Sequence, residues 1–334
     1  MNEIENLLWN GKVPVKFTVF NEDGDVNLAT STTKSIKKNL SIRDDISPYY
    51  MMLPRLSFFC LHEDELRKHF SSVFNDNDEK TKQPIYYVLS NKLSKVVKSF
   101  YPIGVLYDLH TFDSPTDAFE ITIRYDNFPE SIIKYETPRD MIIQNLKESN
   151  YMLFGSSDQL AKIENVHIDE LILAAKNQNL NEYKSIKNEY IYAKSDIKRY
   201  PVRMFFKMGD KLFQSIHQSS SKKKKKKKKK KNNAEYVYSS LFDYSLNDHG
   251  EDTSLEDWVK KEQIIAYGTG GMITSKYRMN PLPESDDDLS DSKYTLKLYC
   301  QGIELDPLMP MKSCCELFMH ADCFLYMIAY LEEE

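Results

Sequence analysis

Residues 100–130 read F-Y-P-I-G-V-L-Y-D-L-H, a short spacer, then F-E-I-T-I-R-Y-D-N-F-P-E. Pro102 suits the first turn of a helix, where its missing N–H would have no partner anyway. Ile103, Val105, Leu106 and Leu109 then lay an apolar stripe at helical spacing. Phe119, Ile121, Ile123 and Tyr125 alternate with Glu120, Thr122, Arg124 and Asp126, the period of a half-buried strand. Pro129 closes that strand, because proline cannot donate to a sheet ladder. A short helix leading into a strand is therefore the unit around which the neighbouring elements are arranged.

Working backwards, Val13, Val15, Phe17 and Val19 alternate in a first strand, Lys12–Phe20, preceded by a short amphipathic segment, Ile4–Trp9. A polar insertion, residues 21–47, separates it from a second apolar strand, Tyr49–Phe59, which Pro54 marks as an edge or bulge. Leu61–Phe74 reads as a helix, and Ile85–Leu89 and Leu93–Phe100 as two strands around Ser90-Asn91. Strand, strand, helix, strand, strand, short helix, strand is the order of a ubiquitin-like β-grasp, a mixed sheet wrapped around the first helix.

Working forwards, Thr137, Pro138 and Asp140 form a helix-start signature. The pattern stays helical to about Ala193, broken near Gly155. A second strand pair is expected at Arg199–Gly209 and Lys211–Ile216, then a helix at Leu255–Ile265, a strand at Tyr294–Cys300, a helix at Met311–Met319 and a strand at Phe324–Leu331. The fold class is thus α+β, with two β-grasp domains flanking a helix-rich one. Its expected parts are an N-terminal helix (1–11), a first ubiquitin-like domain (12–130, insertion 21–47), a helical domain (137–196) and a second ubiquitin-like domain (199–331, disordered insertions 217–253 and 266–292).

A chain of 334 residues, 41% hydrophobic, has material for several cores. Its net charge of −5 hides an asymmetry: the ten lysines of Lys222–Lys231 leave only 35 basic residues against 50 acidic ones elsewhere. That run reads as a solvated insertion that can touch anionic headgroups, rather than a nucleic-acid surface, since no continuous basic face accompanies it. No segment approaches the roughly 18 apolar residues of a membrane span, and no basic-then-apolar leader opens the chain. Five cysteines without a C-x-x-C pair lead to an expectation of reduced thiols and a cytoplasmic location. The seven histidines lack metal-ligand spacing, and Gly268–Gly271 lacks the lysine of a phosphate loop, so neither metal nor cofactor is expected.

Six blocks, L-W-N-G-K-V-P-V-K-F-T-V, P-Y-Y-M-M-L-P-R-L-S-F-F, Y-P-I-G-V-L-Y-D-L, I-T-I-R-Y-D-N-F-P-E, R-Y-P-V-R-M-F-F and G-I-E-L-D-P, occur in an order that resembles the autophagy protein 5 family. The resemblance implies a non-catalytic subunit, which joins the ubiquitin-like autophagy protein 12 and holds a helix of autophagy protein 16 in a groove between domains. It also implies that the complex promotes transfer of autophagy protein 8 to phosphatidylethanolamine, with peripheral recruitment to the phagophore assembly site membrane. The family's acceptor lysine lies two residues before F-P-E, and here that position is Asp126. A carboxylate cannot take an acyl group from a thioester, which requires an amine. The resemblance therefore implies a non-covalent partner seated on Asn127, Phe128, Pro129 and Glu130, with Lys134 as the fallback acceptor. Phe128 can equally belong to the domain's own core. Two alternatives stay open: a generic ubiquitin-like adaptor, or a transfer enzyme whose nucleophile is Cys314 or Cys315.

Overall fold

The computed structural model describes residues 2–20, 46–74, 84–111, 117–125, 128–129, 135, 137–161, 163–191, 199–208, 236–243, 253–261, 277–279 and 294–333. The chain divides into two compact units, one of residues 9–142 with 172–179, the other of residues 1–8, 143–171 and 180–334.

In the first unit β1 (Lys12–Val19), β2 (Tyr49–Pro54), β3 (Tyr86–Leu89), β4 (Lys92–Val96) and β5 (Phe119–Arg124) form one sheet in the order β2-β1-β5-β3-β4. β1 pairs parallel with β5, and the other ladders are antiparallel. This is the β-grasp topology expected for the first block. The alternation in β1 puts Val13, Val15, Phe17 and Val19 into the core. A 3-10 turn (Phe59–His62) carries Phe59 into a cage of Phe17, Tyr87 and Phe119, with ring centroids 5.0–6.1 Å away.

Three element boundaries differ from expectation here. β4 ends at Val96 rather than Phe100. The second strand stops at Pro54 rather than Phe59, because the chain turns there through the Ser57 N–H to the Pro54 carbonyl. The following helix, α2 (Glu63–His69), is shorter than Leu61–Phe74. α3 (Ile103–Thr111) packs on β1, β2 and β5 and shares with the Phe59 turn the covering of the sheet's inner face. Gly104 permits this: its N–H bonds the Arg55 carbonyl at 2.8 Å, and an added Cβ would lie 2.9 Å from that of Arg55.

The second unit repeats the topology. β6 (Arg199–Met208), β7 (Tyr236–Asp243), β8 (Tyr277–Met279), β9 (Tyr294–Cys300), β10 (Ile303–Glu304) and β11 (Leu325–Glu333) make a sheet ordered β10-β9-β11-β6-β7, with β8 beside β9. β6 and β11 run parallel at its centre, as β1 and β5 do in the first sheet. Two expectations fail in this sheet. The partner of β6 is Tyr236–Asp243, inside the expected insertion 217–253, with Phe206 opposite Tyr236 and Arg199 opposite Asp243. Residues 211–216 lie outside the described residues. β8 likewise falls inside the expected insertion 266–292.

The inner face of this sheet is covered by α8 (Leu255–Lys261) and α9 (Met311–Phe318), and Leu8 of α1 (Asn2–Trp9) joins the same core. Between the sheets in sequence come α4 (Pro138–Phe154), α5 (Asp158–Ala161), α6 (Asn165–Lys176), α7 (Leu180–Ile186) and a π-turn, Lys187–Ile191. Gly155 adopts the left-handed φ of +73° that ends α4. Residues of α4 and α7 in this unit grip the turn before β11. Asn145 donates to Asp322, and the Tyr183 hydroxyl donates to the Ala321 carbonyl.

Candidate functional site at the end of strand β5

The expected site is built where β5 ends. Pairing with β3 places Arg124 opposite Tyr86, and the Phe20 N–H bonds the Ile123 carbonyl at 3.0 Å. Period-two alternation then separates two clusters. On one face the Arg124 guanidinium stands 4.0 Å over the Phe20 ring and 5.6 Å from Tyr86. On the other, Tyr125 meets Phe74 edge-on at 5.4 Å, and Arg67, paired with Glu63, lies 5.0 Å over Phe74. Cationic groups over aromatic faces add attraction beyond buried area, so both clusters stiffen the strand end.

Phe128 packs edge-on against Tyr86 at 5.7 Å and joins a small cluster with Val88, Leu93 and Val96. It is half-buried, as is Pro129. Part of its ring therefore serves the domain itself. Asp126, Asn127, Glu130 and Lys134 lie outside the described residues, so the structure brings together only Phe128 and Pro129 of the expected set. Downstream, the Thr137 hydroxyl accepts from the Asp140 N–H at 3.2 Å, and the Asp140 carboxylate accepts from the Thr137 N–H at 3.1 Å. This reciprocal cap fixes where α4 begins.

Sequence reasoning missed Arg124 and Tyr86 as parts of this site. The outward position of Arg124 in the alternation was the available signal, but its aromatic partners sit on other strands. Missed too was a buried polar cluster in the second unit. There Arg203 pairs with Glu148 at 2.6 Å and donates to the Tyr326 hydroxyl, which donates to Asp322 at 2.7 Å. Cys314 and Cys315 are fully buried in the second core. Burial pushes the Cys314 thiol up to about 12 and the Cys315 thiol well above its usual range. Among the described residues no group of His, Cys, Asp and Glu is arranged to hold a metal, and no helix is long and apolar enough to cross a membrane.

Two mixed sheets in ubiquitin order, with a run of helices between them in sequence, define a protein of the double ubiquitin-like class. The match extends to family models over most of the chain: "Autophagy protein ATG5, UblA domain" over residues 8–125, the alpha-helical bundle region over 136–191 and the UblB domain over 199–329. The chain belongs to the autophagy protein 5 family. Autophagy protein 5 of Debaryomyces hansenii is 22% identical, over 98% of this chain and 94% of its own length. That of Drosophila melanogaster is 25% identical over 45% of this chain and 46% of its own. The crystal structure of Kluyveromyces marxianus Atg5 superposes with a TM-score of 0.62, covering 98% of this chain and 99% of that one at 15% identity. Family membership supports a role in autophagy.

Proposed function

We propose that this chain is the non-catalytic core subunit of an autophagy protein 12–5–16 complex that promotes autophagy protein 8 conjugation to phosphatidylethanolamine, and that it holds autophagy protein 12 without a covalent bond. The observation that carries the second half is Asp126 in R-Y-D-N-F-P-E, where a conjugated member needs a lysine. A one-residue slip cannot bring another side chain into its place, since that would turn the strand's faces over. The partner then rests on the surface around Phe128 and Pro129, and a helix of autophagy protein 16 completes the complex. The protein works from the cytoplasm and reaches the phagophore assembly site membrane peripherally. A scaffold role is supported by the state of Cys314 and Cys315, whose buried, protonated thiols make poor nucleophiles.

Co-expression with autophagy protein 12 and the autophagy protein 16 helix tests this reading. All three chains should co-purify, and autophagy protein 12 should separate as a free band on denaturing electrophoresis. An isopeptide mapped to Lys134 or any other lysine refutes the non-covalent complex. Failure to co-purify refutes the scaffold role, and a thioester trapped on Cys315 would point to a transfer enzyme.

A further inference from the structure

β2 is the end strand of the first sheet. One of its sides pairs antiparallel with β1, from Lys12 opposite Pro54 to Phe17 opposite Tyr49. Among the described residues no backbone hydrogen bond or bridge engages its other side. Natural sheets guard such edges with lysines, inward-pointing charges or bulges. Residues Tyr49–Leu53 have none of these: they read Y-Y-M-M-L and pair with β1 in unbroken register, so the edge is blunted only at its two ends, by Pro48 and Pro54.

The two faces of β2 differ. Tyr49 stacks on His69 of α2 at 4.0 Å and donates to Glu65, so it belongs to the inner face. Alternation sends Tyr50 and Met52 outward, where they are 64% and 58% exposed. Unpaired main chain beside two adjacent exposed apolar side chains marks an interaction surface.

We propose that this edge pairs with β2 of a second copy of the chain, antiparallel and centred on Met51, to join two five-stranded sheets. The strand's own sequence selects that occupant. A two-fold axis perpendicular to the sheet keeps outer face on outer face, so it admits only registers that pair like-facing residues. The register centred on Met51 uses the whole stretch between the two prolines. Met51 faces its own equivalent, Tyr49 faces Leu53 of the other copy, and Tyr50 faces Met52, an aromatic ring against a thioether. Each exposed apolar side chain thereby gains an apolar neighbour. No like charges meet: Lys16, beside Tyr50 in the sheet, is already paired with Glu120 at 2.8 Å. Five residue pairs cover less than the roughly 800 Å² per partner of a standard interface, so the dimer is weak and concentration-dependent.

Sedimentation equilibrium of the full chain, from roughly micromolar to millimolar concentration, reads this directly. The wild type should dimerise reversibly. Met52→Lys alone should weaken the dimer about tenfold or more, because each introduced ammonium meets Tyr50 across the axis and loses its water. Combining Tyr50→Lys with Met52→Glu should restore it, since the register opposes the two introduced charges. Met51→Cys should give a disulfide-linked dimer under mild oxidation. These positions are exposed or at the edge, so an unchanged thermal melt separates loss of pairing from loss of fold. A wild type that stays monomeric throughout, a dimer indifferent to Met52→Lys, failure of the double variant to restore pairing, or no cross-link through Met51→Cys each overturns the proposal.

Discussion

The guanidinium carbon of Arg203 lies 3.6 Å above the ring of Phe324, in the middle of the second unit's polar cluster. The same group donates to the Tyr326 hydroxyl at 3.1 Å and pairs with Glu148, while Tyr326 donates its own hydroxyl proton to Asp322. Arg203 is 7% exposed and Asp322 fully buried. A buried pair that loses one member leaves a charge with no compensation, which costs about 3–5 kcal/mol. Arg203→Met should therefore lower stability by several kcal/mol in chemical denaturation. Glu148→Gln should lower it by less than about 1 kcal/mol, since that carboxylate's side chain is 47% exposed and screened by water. Equal losses from both variants would mean that the ion pair, and not the Tyr326–Asp322 link, holds Arg203 in place.

Asp322 gives a pH signature. Burial raises its carboxyl above the usual value near 3.8, and the Tyr326 hydrogen bond and Arg203 offset this only in part. The folded chain then binds this proton more readily than the unfolded chain, so this group's contribution falls as pH rises through the folded pKa. Relative to wild type, Asp322→Asn should look most favourable at neutral pH and progressively less so on acidification toward pH 3.8. A flat difference across that range would remove the carboxyl from the cluster's energetics.

His62 titrates with the opposite sign. Desolvation first, and Lys176 second, lower it from 6.5 to about 4, and its Nε2 lies 3.0 Å from the Ser57 hydroxyl. Folding favours the neutral ring. Its contribution is fully present above pH 6.5 and is lost as pH falls toward 4. The full loss is about 3 kcal/mol, since each tenfold change in proton affinity is worth roughly 1.4 kcal/mol. Denaturation midpoints taken between pH 8 and 4.5 should fall with this dependence in the wild type. The slope should flatten in His62→Gln, whatever that variant's starting stability.

Gly104→Ala tests how α3 docks. The new Cβ would meet the Arg55 Cβ at 2.9 Å and the Arg55 carbonyl oxygen at 3.0 Å, and the latter is backbone that cannot swing away. Overpacking of this kind costs about 1–3 kcal/mol, against a small gain from helix propensity. A lower melting temperature is expected. A variant as stable as the wild type would show that the 54–57 turn yields freely.

The first sheet was legible because its signals are local. Val13–Val19 and Phe119–Tyr125 alternate without interruption, and Thr137 with Asp140 announces α4 within four residues. β7 was not legible in the same way. It lies beyond the lysine run, and Y-V-Y-S-S-L-F-D carries no apolar–polar alternation; only its pairing with Arg199–Phe206 marks it as a strand. The Arg203 cluster could not be read at all, since it gathers residues from α4, β6 and the turn before β11. At the expected binding site, Phe128 was readable as a candidate but its partner Tyr86 was not, because a ring contact across strands leaves no mark on local spacing.

Phe128 carries the last prediction, because its packing in the domain and the partner contact proposed for it give different readouts. The ring contacts Tyr86 and the Val88, Leu93, Val96 cluster, yet it is only half-buried, two residues after Asp126, the position proposed above to stand where a conjugated member has its lysine. Truncation to alanine removes a packed aromatic, for which about 3–5 kcal/mol would be lost in a closed core and less at a half-open position. Phe128→Ala should therefore lower the melting temperature modestly and weaken capture of autophagy protein 12 by a further few kcal/mol, in the manner of an interface anchor. Phe128→Leu separates the two roles. It keeps apolar bulk against Val88 and Val96, so stability should largely return, while a flat ring surface for the partner does not. Binding measured by calorimetry at a temperature where all three proteins are folded decides the matter. If Phe128→Leu restores affinity as fully as stability, Phe128 belongs to the domain's own packing and the partner's anchor lies elsewhere.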